Sequence, residues 1–364
     1  MTRRYAERRM AAQHRVLAFT AGIALMGLVT ARAEPSSDLG SCAARVPEQS
    51  NQPLRWVVGP ESDRSNLDAW CRAAGTPIVV PGSRSVEPPP LTDLVVVTWN
   101  VQLGRGRLPA FVRDLRRGRL TDGVPALRFA ILLQEAMRRS DEVPVFTDGW
   151  RSAKPIRGAD STVGDIASDA TALSLSLVYA PAMRNGPENR EDRGNAIIST
   201  EPIRDIEIVE LPFSRQRRIA LGLTLDIAIA GVRAPLRLMN VHLDARGTRL
   251  GLFGSPRQQQ MQTLLDWLQR PASLGSMARA GTVLGGDLNT VHGGSDEVTY
   301  RAARRWSASL GSQDVRDTHS GMGRLDYLFF RLLPGWTAST TRSSSRYGSD
   351  HHPVVGRFMP PTTP

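Results

Sequence analysis

Between Ile219 and Ile229 every second residue is a large aliphatic one, and Ala220, Gly222, Thr224, Asp226 and Ala228 stand between them. A period of two predicts an extended strand with one buried face. Gly231 supplies a turn, so Leu236–Val241 reads as the return strand of a hairpin. Met261, Leu264, Leu265 and Leu268 then recur at helical spacing, which predicts a helix from Arg257 to Gln269, closed by Pro271. A second helix is expected over Asp165–Leu173. From Leu94 onward, short apolar runs alternate with amphipathic stretches in the manner of an α/β protein. Pro88-Pro89-Pro90 marks a boundary ahead of them. Residues 34–90 are rich in Pro, Ser, Gly and Asn and read as an N-terminal extension. It contains one expected helix, Leu67–Ala74, capped by Ser65 or Asn66 and ended by Gly75. Nothing indicates a solenoid repeat or a long low-complexity tract.

The first 33 residues have another pattern. Arg3, Arg4, Arg8 and Arg9 form a basic head, Val16–Thr30 an apolar run, and Ala31-Arg32-Ala33 a small-residue cleavage site. This predicts a secretory signal peptide over 1–33. The apolar run falls short of the roughly 20 residues that span a bilayer, and the residues after Arg3-Arg4 fit a twin-arginine signal poorly. The expected destination is the periplasm or the exterior. Cleavage would remove six arginines and one glutamate and lower the net charge from +11 to +6. Such an excess favours polyanions only weakly. The arginine clusters at 113–119 and 215–218 read as solvated faces. Cys42 and Cys71, the only cysteines, would lie in an oxidising compartment, where a Cys42–Cys71 disulfide is expected. Two thiols filling the core are the alternative.

The informative residues stand where apolar runs stop. Val95–Trp99 runs into Asn100, Ile131–Gln134 into Glu135, and Leu236–Val241 into His242. Thr282–Leu284 leads through Gly285-Gly286 to Asp287-Leu288-Asn289. Two segments have the reverse order: Asp326 precedes Tyr327–Phe330, and Asp350-His351 precede Pro353-Val354-Val355. In a mixed sheet the end of one strand lies beside the start of an antiparallel neighbour, so these orders can gather all six groups at one edge. The two glycines would let backbone approach a ligand or turn sharply there. Carboxylates about 4 Å apart repel by roughly 4 kcal/mol at an effective dielectric near 20. Glu135, Asp287 and Asp350 therefore call for a cation. Oxygen donors without cysteine suit Mg²⁺, with Mn²⁺ or Ca²⁺ as alternatives, whereas zinc would call for more histidine.

Seven segments in this order carry a resemblance: Thr98-Trp99-Asn100, Gln134-Glu135, Arg193-Gly194-Asn195-Ala196-Ile197, Asn240-Val241-His242-Leu243-Asp244, Gly286-Asp287-Leu288-Asn289, Arg324-Leu325-Asp326-Tyr327 and Ser349-Asp350-His351-His352-Pro353. Together they resemble the endonuclease/exonuclease/phosphatase superfamily over residues 92–359, within an expected domain of 91–360. None is specific alone; the ordered set is. The resemblance implies an α/β fold, a four-layer α/β/β/α sandwich with its site at one end of two packed mixed sheets. It also implies roles. Asn100, Glu135 and Asp350 match metal-site residues, and Asp287 and Asn289 match groups that position water and phosphate. His351 with Asp326 matches a pair that orients the nucleophile or balances phosphate charge. His242 matches a second histidine near the leaving oxygen, and Asn195 a phosphate contact. Asp244 and His352 read as structural.

The expected function is metal-dependent hydrolysis of a phosphate ester, foremost a phosphodiester, with nucleic acid among the candidate substrates. Cleavage of a phospholipid head group or a phosphomonoester is the alternative on the same fold; Leu250, Leu252 and Phe253 would be the membrane contact. A silent binding protein is the alternative from another class. No protein partner is inferred.

Overall fold

The computed structural model describes residues 54–57, 59, 61–82, 93–145, 164–184, 190–214, 216–229, 232–245, 255–270, 281–291, 297–307 and 313–359. The expected signal peptide, Cys42, and Leu250, Leu252 and Phe253 lie outside them.

Runs such as Val95–Thr98 are β-branched and favour extended backbone. In chain order the strands and helices are β1 (Leu54–Val57), α1 (Arg64–Ala73), β2 (Ile78–Val80), β3 (Leu94–Asn100), α2 (Leu108–Arg116), β4 (Phe129–Arg139), α3 (Ile166–Ala172), β5 (Ser176–Arg184), β6 (Glu191–Ser199), β7 (Ile203–Glu210), β8 (Ile219–Ile229) and β9 (Val232–His242). They continue with α4 (Pro256–Gln269), β10 (Gly281–Asp287), α5 (Val298–Trp306), β11 (Asp326–Arg331), β12 (Thr337–Arg342) and β13 (Val354–Met359). One sheet has the order β1-β7-β8-β9-β10-β11, the other β12-β13-β3-β4-β6-β5-β2.

Three apolar layers separate the sheets and helices into a four-layer α/β/β/α sandwich. Val96, Leu132, Ile197, Leu221, Leu238, Val283 and Leu328 fill the space between the sheets. Val97, Ile131 and Ile198 face Phe111 and Leu115 of α2 and Ile166 of α3. Met239, Val241, Leu284 and Phe329 face Met261 and Leu264 of α4 and Ala303 of α5. Most strands are thus buried on both faces, which is why their sequences read as solid apolar runs.

Local chemistry sets the helix ends. Asp165 accepts from Ser168 N–H at 2.9 Å at the start of α3, and Ser255 from Gln258 N–H at 3.2 Å at the start of α4. Glu297 accepts from Thr299 and Tyr300 N–H at the start of α5. The expected helix over 67–74 begins earlier, at Arg64. Its N-cap is Asp63 rather than Ser65 or Asn66, and it makes no side-chain cap bond. That carboxylate instead accepts from Phe213 N–H at 3.0 Å. Gly75 is not the cap residue, which is Ala74. A Cβ at Gly75 would press into the Arg138 guanidinium.

Within the 34–90 segment, the described residues between 54 and 82 brace both sheets. β1 pairs in parallel with β7, and β2 pairs antiparallel with β5. Between them α1 sets Trp70 and Cys71 into the inter-sheet core.

Candidate active site

Strand registers bring the polar strand ends together. Asp287 pairs with His242 across β9/β10 and with Asp326 across β10/β11. β3 runs parallel to β4, Asn100 opposite Gln134, and β13, entered from His351, runs back along β3. The Asn100 amide crosses between the sheets to Asp287 Oδ2 at 2.9 Å. The expected edge is therefore real, and it belongs to both sheets.

Under it lies a layer of amides. Gln134 Nε2 donates to Asn240 Oδ1 at 2.7 Å and to Thr98 Oγ1 at 3.1 Å. Asn240 Nδ2 donates to the Leu133 and Ala196 carbonyls at 2.8 and 2.9 Å. Asn195 Nδ2 donates to Ile219 O at 3.0 Å and reaches Asn240 O at 3.5 Å. Buried amides with their hydrogens satisfied tie the sheets together and fix the floor. A phosphate contact from Asn195 Nδ2 would require one of these bonds to be released.

Backbone strain aims several side chains. The β4/β6 register shifts between Leu133 and Ala136, and within that bulge Glu135 has φ 55°. A bulge re-aims a side chain. Glu135 accepts from Leu103 N–H at 3.1 Å and lies 3.8 Å from Arg193 Nη1. Gln102, Leu103 and Asn289 also have positive φ. Each such residue stores on the order of 1–3 kcal/mol of strain, which the surrounding fold offsets. Asn100 Oδ1 accepts from Gln102 N–H at 2.9 Å. Asn289 N–H donates to Asp287 Oδ1 at 2.8 Å, and its amide to Leu243 O. Gly285 and Gly286 have a different use from the one expected: a Cβ at Gly286 (φ 152°) would strike Val241 O, and one at Gly285 would strike Leu328 and Leu132. They allow close packing rather than approach to a ligand.

The histidines face Asp287 from two sides. His351 Nδ1 bonds Asp326 Oδ2 at 2.8 Å, which turns Nε2 toward Asp287 Oδ2 at 3.9 Å and Asp350 Oδ1 at 3.8 Å. His242 Nε2 lies 3.6 Å from Asp287 Oδ2. The Ser349 hydroxyl donates to Asn100 O at 2.7 Å and accepts from His351 N–H at 3.0 Å, while Trp99 Nε1 donates to His351 O. The His351 loop is thereby pinned to β3. His352 Nδ1 meets Ser343 O at 2.9 Å and Asp244 N–H bonds Gln260, both bracing contacts.

The electrostatics separate the two rings. Burial works against charge on His351, yet Asp326, Asp287 and Asp350 outweigh it and raise its pKa to about 10. Burial, reinforced by Arg218, Arg193 and His351, pushes His242 well below the usual imidazole range. Without a cation, His351 is an imidazolium and His242 a neutral imidazole at neutral pH. Burial and Asp326 push Asp287 up to about 6.

Three residues had no role assigned from the sequence. His319 Nε2 lies 3.5 Å from Asp350 Oδ2, with its ring edge-on to His351. Arg193 faces Glu135. Arg218, 3% exposed, has its pKa lowered to about 10 by burial, with Asp244, Glu135 and Asp287 acting in the other direction. The reading of 215–218 as a solvated face is therefore corrected for Arg217 and Arg218. Both are buried, because they enter β8 at the site edge and its flank.

The donor set fits a divalent cation. Asn100, Glu135, Asp287 and Asp350 offer oxygen at one edge, and the side chains of Glu135 and Asp350 are 21% and 35% exposed, so an ion has an entry path. Two tight groups of donors occur among the described residues, His319/Asp350/His351 and Asp287/Asp326/His351, each within 4.8 Å. Neither includes Glu135.

No curated protein matches the chain in sequence closely enough to count as a relative. Among solved structures, the chain is similar to an endonuclease/exonuclease/phosphatase from Beutenbergia cavernae, with 20% identity over 75% of this chain and 73% of that one and a TM-score of 0.49. The human nocturnin catalytic domain with bound sulfate aligns at 16% identity over 78% and 97%, TM-score 0.46. Sphingomyelinase C from Streptomyces griseocarneus aligns at 19% over 73% and 99%, TM-score 0.38. The model of the Endonuclease/Exonuclease/phosphatase family matches residues 97–351 and so takes in every residue of the site. On that match and the sandwich that carries the site, the chain belongs to the endonuclease/exonuclease/phosphatase family.

Proposed function

We propose that this phosphoesterase hydrolyses phosphodiesters, nucleic acid foremost, by in-line attack of water with a divalent cation, Mg²⁺ first among the candidates. The observation that carries the proposal is the array Asp326–His351–Asp287–His242, held by Asn100 and Asn289 around one carboxylate. In-line displacement needs an aligned water, neutralised phosphoryl oxygens and a proton for the leaving oxygen.

Each need has a residue. Asp287, fixed by two donors and with a carboxyl pushed up to about 6, orients the water and receives its proton. His351, kept in one orientation by Asp326, presents a cationic N–H to a phosphoryl oxygen. His242, neutral and on the other side of Asp287, would hydrogen-bond the leaving oxygen, and the proton that this oxygen takes up is the one Asp287 received from the water. Asn100, Glu135 and Asp350 would hold the cation, which when bound supplies positive charge to the phosphoryl group. We further propose an exported protein, cleaved after Ala33, with Cys71 paired to Cys42. The basic head, apolar run and cysteine count support that reading.

The test is Mg²⁺-dependent release of nitrophenol from bis(p-nitrophenyl) phosphate, with EDTA controls, beside a panel of DNA, RNA, phospholipid and phosphomonoester. Wild type is expected to act on the diesters, and Glu135→Ala and His351→Ala to lose that activity. Inactivity of all three proteins on the whole panel would leave a binding role in its place.

A further inference from the structure

We propose that His319, Asp350 and His351 form a second cation site, which shares Asp350 with the all-oxygen end at Asn100 and Glu135 but is suited to a borderline divalent metal such as Zn²⁺, Mn²⁺ or Co²⁺. The proposal rests on the reading of this edge as a metal centre and adds a ligand, His319, that lay outside every sequence segment singled out above.

The distances carry it. His319 Nε2 to Asp350 Oδ2 is 3.5 Å, and His351 Nε2 to Asp350 Oδ1 is 3.8 Å. A charge-assisted hydrogen bond would close to about 2.7–2.9 Å. Donors about 2.0–2.1 Å from one tetrahedral ion stand about 3.3 Å apart. Both histidine–carboxylate approaches, each to a different Asp350 oxygen, are thus wider than a hydrogen bond and within a few tenths of an ångström of ligand spacing. All their donor atoms lie within 4.8 Å of one another.

The neighbours support the same use. Asp326 takes His351 Nδ1 at 2.8 Å, the carboxylate–imidazole arrangement that leaves Nε2 as the ligating nitrogen; an ion bound there would displace the Nε2 proton and take over the positive charge that His351 otherwise presents to the phosphoryl oxygen. Among the described residues no hydrogen bond to His319 Nδ1 fixes the ring. His319 is held there by backbone: it bridges to His351 and Gly323, and His352 N–H donates to Thr318 O at 2.7 Å. Asp350, the most exposed of the three, opens the site to solvent. Two nitrogens and one carboxylate, with room for water, match a borderline cation better than Mg²⁺.

The experiment uses EDTA-stripped protein, reloaded with excess Mg²⁺ and titrated with Co²⁺ while calorimetry and visible absorption are recorded. The expected result is one Co²⁺ bound in the presence of Mg²⁺, with d–d bands of nitrogen ligation. In His319→Ala that affinity should fall at least about tenfold. Equal affinity and spectrum in both proteins would overturn the proposal. Should His319→Ala fail to melt cooperatively, anomalous diffraction from Co²⁺-soaked wild-type crystals decides. A peak within about 2.3 Å of His319 Nε2 upholds the site; a peak only at Glu135, or none, overturns it. Neither readout needs a substrate, so failure of the proposed hydrolysis leaves this test standing.

Discussion

Where α1 docks, Arg217 is buried between Glu210 and two tryptophans. It donates from Nε to Glu210 Oε2 at 3.0 Å and lies 3.6 Å above the Trp70 ring, while Trp56 Nε1 donates to the same carboxylate. Arg138 does likewise with Asp192, which also receives Tyr179 O–H and Gly75 N–H. Around Asp287, where charge is also buried, the His351–Asp326 pair is the one ionic contact among the described residues that closes to hydrogen-bond length. The remaining ionic approaches stand at 3.5 to 3.9 Å. The closed clusters have matched charges and a full set of donors, and so hold parts together. Burial shifts pKa values in both; the open cluster differs in its excess carboxylate and its ionic contacts left wider than hydrogen bonds, which is the arrangement chemistry needs.

The contrast can be broken in four ways. His351→Ala should lower nitrophenol release by about 10²- to 10⁴-fold. Arg217→Ala should lower the unfolding free energy by about 3–5 kcal/mol in a denaturant melt, since it strands a buried carboxylate. Its rate per folded molecule should stay at the wild-type level. A rate loss in Arg217→Ala as deep as in His351→Ala would erase the distinction.

A third, smaller effect concerns pH. The Asp287 carboxyl rises from 3.8 when unfolded to about 6 when folded, so the folded protein binds this proton more readily and ionised Asp287 opposes the fold. In EDTA at about pH 8, Asp287→Asn should therefore be more stable than wild type by on the order of 1–3 kcal/mol. That advantage should shrink as pH falls through about 6 and vanish below about 4. Melts across this range check it. Smallest of all, Arg119→Ala breaks an ion pair whose arginine is 61% exposed. Its effect on the melt should not exceed about 0.5 kcal/mol.

Much of this was legible in the sequence because a strand fully buried on both faces writes a solid apolar run, and a polar residue at its end then stands out. Asn100, Glu135, His242, Asp287, Asp326 and Asp350-His351 were all found this way. Arg218 obeys the same rule, at the start of β8, but the neighbouring arginines hid it in what read as a solvated patch. His319 could not be found so. It precedes no apolar run, and only the bridge to His351 brings it in. The roles of Gly285 and Gly286 depend on what the opposite sheet places against them, which no local pattern encodes. The bracing strands β1 and β2 are 4 and 3 residues long; segments that short carry too little periodicity to separate from loop.

Those two strands also set an order of events. The Trp56–Glu210 bond joins positions 154 apart, and the Gly75–Asp192 bond positions 117 apart. During synthesis, the early segment therefore waits for partners that emerge far later, and the ends of both sheets stay open until then. Contacts between such distant positions slow folding, since they must close before they contribute.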